Sequence, residues 1–312
     1  MLCAFMLIRP LEARHYSALL DRDDTDTSSN ERQPSPDIYI GVNEVTVSFV
    51  ATDSRGKVVR NLTQHDIAIA DNGNPPKAIV GFRQVMQLPL HLSLLIDTSS
   101  SVSAQFDWER QAAIGLARRI LRPGLDTASV FSFNAVVVKT ALPGEDTESM
   151  YATISALRNG GGTALYDAIY RACQDSTLSQ SRTAPLRTAM IVITDGQDNH
   201  SQVTRGQAIA IAQQADIAIY AISTNNSGVI LPGDRVLDEI SSATGGHMFL
   251  PLNRHDVDRS FDVIEQEVRN KYVLSYQPLD VTMDGGFHSI ELSSPRRHLY
   301  LRYRTGYFSY SR

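Results

Sequence analysis

The chain has 312 residues, of which 42% are hydrophobic and 20% are charged, with a formal net charge of −5. This length predicts one α/β domain plus a smaller unit, and the hydrophobic fraction is sufficient for a proper core. The acidic balance, with no basic stretch, argues against nucleic acid as a partner. With only two cysteines, Cys3 and Cys173, a CxxC metal site is excluded and no structural disulfide is expected. No apolar run approaches the roughly 18 residues needed to span a bilayer.

Residues 1–37 are predicted to be a disordered N-terminal segment and linker. Residues 2–8 are apolar, but the run is at most a truncated secretory signal because it is short and no basic residue precedes it. Residues 21–36 are polar, acidic and proline-bearing, which is typical of a flexible linker. The same run fails as a calcium loop, since Asp26 stands where an EF-hand needs glycine and Arg32 where it needs glutamate.

Residues 38–87 carry the period-two pattern of half-buried strands. Apolar and polar residues alternate over 45–51, and a short strand is predicted at 65–70. A dense turn signal at 71–76 precedes another strand at 77–85. Closely spaced strands with turns between them predict the N-terminal part of a small antiparallel β domain.

Residues 88–269 alternate between strand and helix patterns, which is typical of a doubly wound α/β domain with a mostly parallel sheet. The run 92–96 is apolar except for Ser93, as expected for a strand buried on both faces. The predicted order is strand 92–96, helix 104–121, strands 127–133 and 136–141, helices 147–157 and 164–178, strand 187–194, helix 204–215, strand 217–223, helix 234–242, strand 246–250 and helix 256–268.

The period-two pattern returns over residues 270–312. No helix pattern separates these strands, so they cannot extend a parallel sheet by crossover. We infer that they join the strands of 38–87 in a second, smaller, antiparallel β-sandwich-like domain that the α/β domain interrupts. A separate C-terminal hairpin would leave the same sequence pattern.

Polar residues follow the predicted parallel strands at three places. Asp97, Ser99 and Ser101 come directly after the first apolar strand, Thr163 follows a run of three glycines, and Asp195 follows another apolar strand. In such sheets ligands bind beyond the carboxyl ends of the strands. Carboxylate and hydroxyl oxygens are hard ligands, which favour Mg²⁺ or Mn²⁺ over Zn²⁺.

Together these five residues resemble the metal-ion-dependent adhesion site of the von Willebrand factor type A domain. That family's pattern is Asp-x-Ser-x-Ser, then a distant Thr and a distant Asp, and every position is matched here in order. The resemblance implies a Rossmann-like fold and a divalent-metal-dependent protein-binding module rather than an enzyme. It implies Mg²⁺ as the cofactor, with Mn²⁺ or Ca²⁺ as alternatives.

The resemblance also assigns roles to the five residues. Ser99 and Ser101 would ligate the ion directly, Asp97 and Asp195 mostly through water, and Thr163 in either way. An Asp or Glu carboxylate of a partner protein would complete the coordination shell. The flanking strands look like those that bracket type A domains in a bacterial group of related, commonly exported proteins, although the short apolar N-terminus departs from an export signal.

Alternative interpretations remain for several acids and hydroxyls of this region. Asp97 and Asp195 could cap strand ends in a structural module that binds no metal, and Thr163 could serve as the N-cap of its helix. Asp167 is expected to interact with the N-terminus of its own helix. Asp198 is expected to be a solvated loop acid.

Enzyme motifs are absent from the sequence, which contains no GxSxG, GxxxxGK[ST], GxGxxG or HExxH. The alternative function is Mg²⁺-dependent phosphoryl transfer with Asp97 as a phosphorylated nucleophile. Such enzymes usually place a second acid two residues on, and that position is Ser99 here.

Overall fold

The computed structural model describes five stretches of the chain, residues 44–86, 88–143, 146–179, 187–279 and 285–309. The predicted disordered segment 1–37, with its apolar stretch and its acidic linker, lies outside the described residues. All described residues belong to one compact unit, 42–312. None of the helices in the described stretches is long and apolar enough to cross a membrane.

Strands and helices alternate through the middle of the chain, while strands alone occupy both ends. The strands are β1 (Val45–Thr52), β2 (Ala68–Asp71), β3 (Ala78–Val85), β4 (Leu90–Asp97), β5 (Thr127–Phe133), β6 (Val137–Ala141), β7 (Arg187–Thr194), β8 (Ala218–Ser223), β9 (Met248–Phe249), β10 (Lys271–Gln277), β11 (Phe287–Ser293), β12 (Tyr300–Tyr303) and β13 (Gly306–Phe308). The helices are α1 (Phe106–Ile120), α2 (Thr147–Ala156), α3 (Leu165–Ser179), α4 (Arg205–Gln214), α5 (Pro232–Ala243) and α6 (Arg254–Arg269).

The central sheet has the strand order β6-β5-β4-β7-β8-β9. Its neighbours pair in parallel except at the β5–β6 hairpin, which is antiparallel. All eight residues of β4 are buried, because helices cover both faces of the sheet and leave no side of this central strand in contact with water. The chain thus presents the carboxyl ends of β4 and β7 side by side.

Two apolar cores lie on the two faces of this sheet. On one face Leu92, Leu94 and Ile96 of β4 pack against α1, α2 and α6. On the other, Leu95 joins residues of α3, α4 and α5. Successive side chains of a strand point to opposite faces, so one apolar run supplies both cores. The predicted doubly wound α/β fold is confirmed.

The terminal strands form two antiparallel sheets with the orders β12-β1-β10-β3 and β13-β11-β2. β1 pairs with both β10 and β12, so strands from before and after the α/β domain share one sheet. A single apolar core, which includes Phe49, Tyr272 and Ile290, lies between the two sheets. The predicted β-sandwich-like domain is therefore built from both ends of the chain, although its boundaries at residues 87, 88, 269 and 270 stay predictions.

The strand predicted at residues 65–70 is partly wrong. Gln64–Asp66 forms a 3₁₀ turn, and the strand begins only at Ala68. The Asp66 carboxylate accepts a 2.7 Å hydrogen bond from the Thr63 N–H and another from Arg296. This local cap closes the turn and overrides the extended pattern around it.

Candidate metal centre

The carboxyl ends of β4 and β7 are joined through the Asp97 side chain. The Thr194 hydroxyl, at the end of β7, donates a 2.5 Å hydrogen bond to Asp97 Oδ2. Since β5 and β7 flank β4 on opposite sides, this position is the point where the strand order reverses, and doubly wound sheets have their ligand crevice there.

The loop after β4 turns so that its two alternate serines face one another. Asp97 Oδ1 accepts a 2.8 Å hydrogen bond from the Ser99 N–H, which closes a tight Asx-type turn. The Thr98 N–H and hydroxyl both donate to the carbonyl of Phe133, at 2.7 and 3.0 Å, and anchor the loop to β5. The Ser99 and Ser101 hydroxyl oxygens are consequently 2.9 Å apart.

Backbone hydrogen bonds hold Thr163 between the other two segments. The Ser100 N–H donates to the Gly161 carbonyl at 3.0 Å, and the Gly161 N–H donates to the Ser100 hydroxyl at 2.9 Å. Thr163 donates its N–H to Asn199 Oδ1 at 2.8 Å. Its carbonyl accepts the N–H groups of Asn199 and His200, each at 2.9 Å. The glycine loop therefore contacts both the β4 and the β7 loop.

Asp195 stands on a loop that packs tightly against the start of α5. Gly196 has φ +78°, and a side chain there would place its Cβ 2.3 Å from the Gly233 carbonyl oxygen. Only glycine fits such a close approach in this conformation. Gln197 donates its backbone N–H and its side-chain amide to the two Asp195 oxygens, at 3.0 and 3.1 Å. The Asp195 carboxylate is thereby oriented from its own loop.

The five predicted site residues divide into an inner and an outer group. Asp97, Ser99 and Thr163 are buried, whereas Asp195 is half-buried and Ser101 is exposed. The two outer residues line a cleft of about 580 Å³. The other lining residues are Gln105, Gln197, Thr224, Asn225, Asn226, Ser227, Leu231, Pro232 and Gly233.

The family model of the von Willebrand factor type A domain matches residues 91–258, which is more than half of the chain. This chain belongs to the von Willebrand factor type A family. The matched range begins one residue into β4, and it contains Asp97, Ser99, Ser101, Thr163 and Asp195. The family predicted from the sequence is confirmed. No curated protein matches the chain.

Several solved structures are similar to this chain at low sequence identity. A von Willebrand factor type A protein from Catenulispora acidiphila is 10% identical, covers 81% of this chain and 76% of its own, and has a TM-score of 0.50. The manganese-loaded TRAP protein of Plasmodium vivax is 15% identical over 72% of this chain and 97% of its own, with a TM-score of 0.46. Proximal thread matrix protein 1 from mussel byssus, with zinc in its MIDAS motif, is 15% identical over 64% of this chain and 50% of its own, with a TM-score of 0.48.

Negative charge is concentrated at the strand ends of this type A domain. The pKa of Asp97 is raised to about 6, chiefly by burial and to a smaller extent by the charge of Asp195, while hydrogen bonds from Thr194 and Ser99 lower it. No Lys, Arg or His is among the described residues that line the cleft. A buried carboxylate without a counter-charge is stabilised by a bound cation.

The donor set fits a small divalent cation. Adjacent ligands of octahedral Mg²⁺, each at 2.0–2.1 Å from the ion, are separated by about 2.9 Å, and the Ser99 and Ser101 oxygens are 2.9 Å apart. Nowhere in the described stretches are three His, Cys, Asp or Glu side chains grouped as if to hold a metal. The candidate donors are hydroxyl and carboxylate oxygens, and these suit Mg²⁺ or Mn²⁺ better than they suit Zn²⁺.

Two acids near the centre make hydrogen bonds that were not predicted, although Asp167 lies in the first turn of its own helix as expected. Asp198 is not simply solvated, because its Oδ2 accepts the Tyr166 N–H at 3.1 Å at the start of α3. Asp167 instead accepts the N–H groups of Gln202 and Val203, each at 2.9 Å. Each acid thus stabilises the other's segment, and together they fix the β7 loop against α3.

One further acid of this region, Glu109, was not predicted from the sequence. Glu109 lies in the first turn of α1 and is fully buried, and its pKa is raised mainly by this burial and further by the charges of Asp97 and Asp195. A signal was present, since Glu109 precedes the apolar residues Ala112, Ala113 and Leu116 by three, four and seven positions. This spacing places its side chain on the buried face of the helix.

Proposed function

We propose that this chain is a Mg²⁺-dependent protein-binding module in which a carboxylate of a partner protein completes the metal coordination. Ser99 and Ser101 hold the ion directly, Thr163 holds it directly or through water, and Asp97 and Asp195 hold its water ligands. Family membership supports an interaction module, because type A domains generally bind other proteins.

The observation that carries this proposal is the pair of serine hydroxyls beside a buried, uncompensated carboxylate. The 2.9 Å separation of the Ser99 and Ser101 oxygens suits two neighbouring positions of one octahedron. Both Asp97 oxygens already accept hydrogen bonds, from the Ser99 N–H and the Thr194 hydroxyl. This arrangement favours Asp97 as an acceptor for metal-bound water rather than as a direct ligand.

The shape and charge of the cleft support an acidic partner that binds only through the metal. Ser101 and Asp195 face a space of about 580 Å³, large enough for an incoming side chain. Without a cation, the negative charge of Asp195 would repel a carboxylate, because no basic group among the described lining residues offsets that charge. A bound Mg²⁺ supplies the positive charge and an exchangeable coordination position.

Calorimetric titration of Mg²⁺ into the metal-free chain tests the metal site. We expect saturable binding that Asp97→Ala and Ser99→Ala weaken at least about 100-fold, since the ligand set and the support for its water are removed. Ser103→Ala is the matched control, because the Ser103 hydroxyl donates to the Ser100 carbonyl outside the predicted ligand set. Equal Mg²⁺ affinity in all four proteins would contradict the proposed site.

A second titration in acetate tests the open coordination position. Acetate presents the same carboxylate as an Asp or Glu side chain, so it is expected to tighten Mg²⁺ binding by the wild type and not by Asp97→Ala. Reciprocally, Mg²⁺ should be required for acetate binding, because the coupling between two ligands is mutual. Acetate binding that ignores the metal would contradict a metal-mediated contact with the partner.

A further inference from the structure

Glu109 is a buried acid for which the described part of the chain provides no adequate partner. Its side chain is fully buried, and neither carboxylate oxygen has a hydrogen-bond partner of normal geometry among the described residues. The Thr224 hydroxyl is near enough to lower its pKa, but this effect is smaller than those that raise it. Burying a carboxyl group in this way costs free energy that an apolar residue would not cost.

Asp234 shows how the same end of the fold satisfies a buried acid. It is also fully buried, and its carboxylate accepts hydrogen bonds from Ser223 at 2.5 Å, Asn225 at 2.6 Å and the Leu231 N–H at 2.7 Å. Three donors around Asp234, against none of normal geometry at Glu109, set the two acids apart. Glu109 therefore needs a donor beyond those that the described stretches supply.

The surroundings of Glu109 locate that missing donor at the candidate metal centre. The negative charges of Asp97 and Asp195 both act on Glu109, and Thr224 lines the cleft together with Ser101 and Asp195. The adjacent Arg110 cannot compensate the charge, because its guanidinium donates to the Ser155 carbonyl and to Asp107. Burial and these two like charges raise the pKa of Glu109 to about 9.

Glu109 is not placed as a third carboxylate ligand, since no three acids of the described stretches are grouped closely enough to hold one ion. Mg²⁺ keeps several of its waters, and those waters are strong donors that need acceptors. We propose that Glu109 is a positioning residue of the metal centre, whose carboxylate accepts a hydrogen bond from a metal-bound water on the side of the ion that faces α1. This inference rests on the proposed function.

Glu109 is buried, whereas Ser101 and Asp195 line the open cleft. A water held by Glu109 would support the ion from within the protein, and the coordination position open to the cleft would remain for the partner's carboxylate. Glu109 thus acts through a water and not on the partner. Its removal should lower the Mg²⁺ affinity more than it changes the selectivity for acidic partners.

The test compares Glu109→Gln and Glu109→Leu with the wild type in two measurements, Mg²⁺ affinity by calorimetry and the urea midpoint of the metal-free chain. Glu109→Leu should weaken Mg²⁺ binding about tenfold or more, and Glu109→Gln, which keeps one acceptor oxygen, by less. The metal-free urea midpoint should change in the opposite order, with Glu109→Leu the most stable, because Leu removes an unsatisfied acid from a buried site. A residue that only supports the fold would lower both quantities together.

Glu267→Gln is the matched control, since Glu267 is equally buried but pairs with Arg302 in the β12 region. It should lose stability and keep its Mg²⁺ affinity. Mg²⁺ affinities of both Glu109 variants within twofold of the wild type would overturn this inference and leave the proposed function intact. Absence of saturable Mg²⁺ binding by the wild type would overturn both. Glu109→Gln keeps the shape of the native side chain, so the test stands even where Glu109→Leu does not fold.

Discussion

The two ends of the central sheet bury acids in opposite ways. At the amino ends of the strands, the Asp126 side chain is fully buried and accepts hydrogen bonds from the guanidinium groups of Arg122 and Arg269 and from two backbone N–H groups. Arg122 and Arg269 hold its pKa well below the usual range despite its burial. At the carboxyl ends, Asp97 and Glu109 have no such cation among the described residues, and their pKa values are raised to about 6 and about 9.

This contrast separates acids that are paired within the chain from acids that we propose are stabilised by a bound cation. Burying a carboxylate carries a desolvation cost at both ends. At the amino end this cost is offset within the chain by Arg122 and Arg269, which also donate to the carbonyls of Leu88 and Ile120. At the carboxyl end no such pairing offsets the desolvation cost. A bound cation would therefore stabilise the fold more at this end than at the other.

The strongest way to break this contrast is to neutralise the paired acid with Asp126→Asn. Two arginines would then share a buried site with no counter-charge, so we expect a loss of about 3 kcal/mol in the free energy of unfolding. Urea denaturation measures it. The Mg²⁺ affinity should not change, because Asp126 lies at the far end of the strands.

The control for Asp126→Asn is Asp107→Asn. Asp107 also pairs with an arginine, Arg110, but its side chain is largely exposed. Exposed pairs of this kind contribute about 0–1 kcal/mol. A comparable loss in both variants would show that burial is not what distinguishes the amino end.

The same isosteric change at the other end, Asp97→Asn, should have the opposite effect on stability. The folded-state pKa of Asp97 lies above its usual 3.8, so the stability it contributes is present at low pH and is lost as the pH rises through about 6. At pH 8 without metal, Asp97→Asn is therefore expected to raise the free energy of unfolding by about 1–2 kcal/mol, while its Mg²⁺ affinity falls about 100-fold. A metal-free Asp97→Asn less stable than the wild type would place Asp97 with the structural acids.

The parts of this molecule that the sequence predicts are those in which neighbouring residues act together. Asp97, Ser99 and Ser101 lie within five residues at the end of an apolar strand, so strand period and loop chemistry place them without any tertiary information. The alternation of β1 and β10 likewise predicts two half-buried strands. Their pairing with each other required the structure, because a separate hairpin would show the same alternation.

The parts that were missed depend on contacts between distant segments. Local helix rules predict Asp167 at its own helix, but the N–H groups of Gln202 and Val203 need acceptors when the β7 loop packs there. Glu109 is different, since its phase with the apolar face of α1 is visible in the sequence. What the sequence does not show is that the Glu109 carboxylate has no hydrogen-bond donor of normal geometry among the described residues.

A pH series sharpens the comparison at Glu109. A folded-state pKa of about 9, above the usual 4.5, means that its contribution to stability is complete at low pH and is lost as the pH rises towards 9. Between pH 7 and 8 the metal-free wild type should lose about 1 kcal/mol more than Glu109→Gln. Urea midpoints of the two proteins at each pH measure the difference, and saturating Mg²⁺ should reduce it because the cation stabilises the ionised form. Parallel pH profiles without metal would show that Glu109 is already compensated.

The smallest expected effect concerns a neutral residue that connects the loops of the proposed metal centre. Asn199 accepts the Thr163 N–H at 2.8 Å, and Asn199→Ala removes that anchor without removing any charge. Loss of one hydrogen bond corresponds to about 1 kcal/mol or less, so the Mg²⁺ affinity should fall about threefold through the displaced Thr163. Gln202→Ala, at an exposed side chain of the same loop, is the control and should bind Mg²⁺ like the wild type. If Asn199→Ala also leaves the Mg²⁺ affinity unchanged, Thr163 either needs no anchor or does not ligate the ion. The double variant Asn199→Ala, Thr163→Ala separates the two cases. Its Mg²⁺ affinity should stay unchanged only if Thr163 does not ligate the ion.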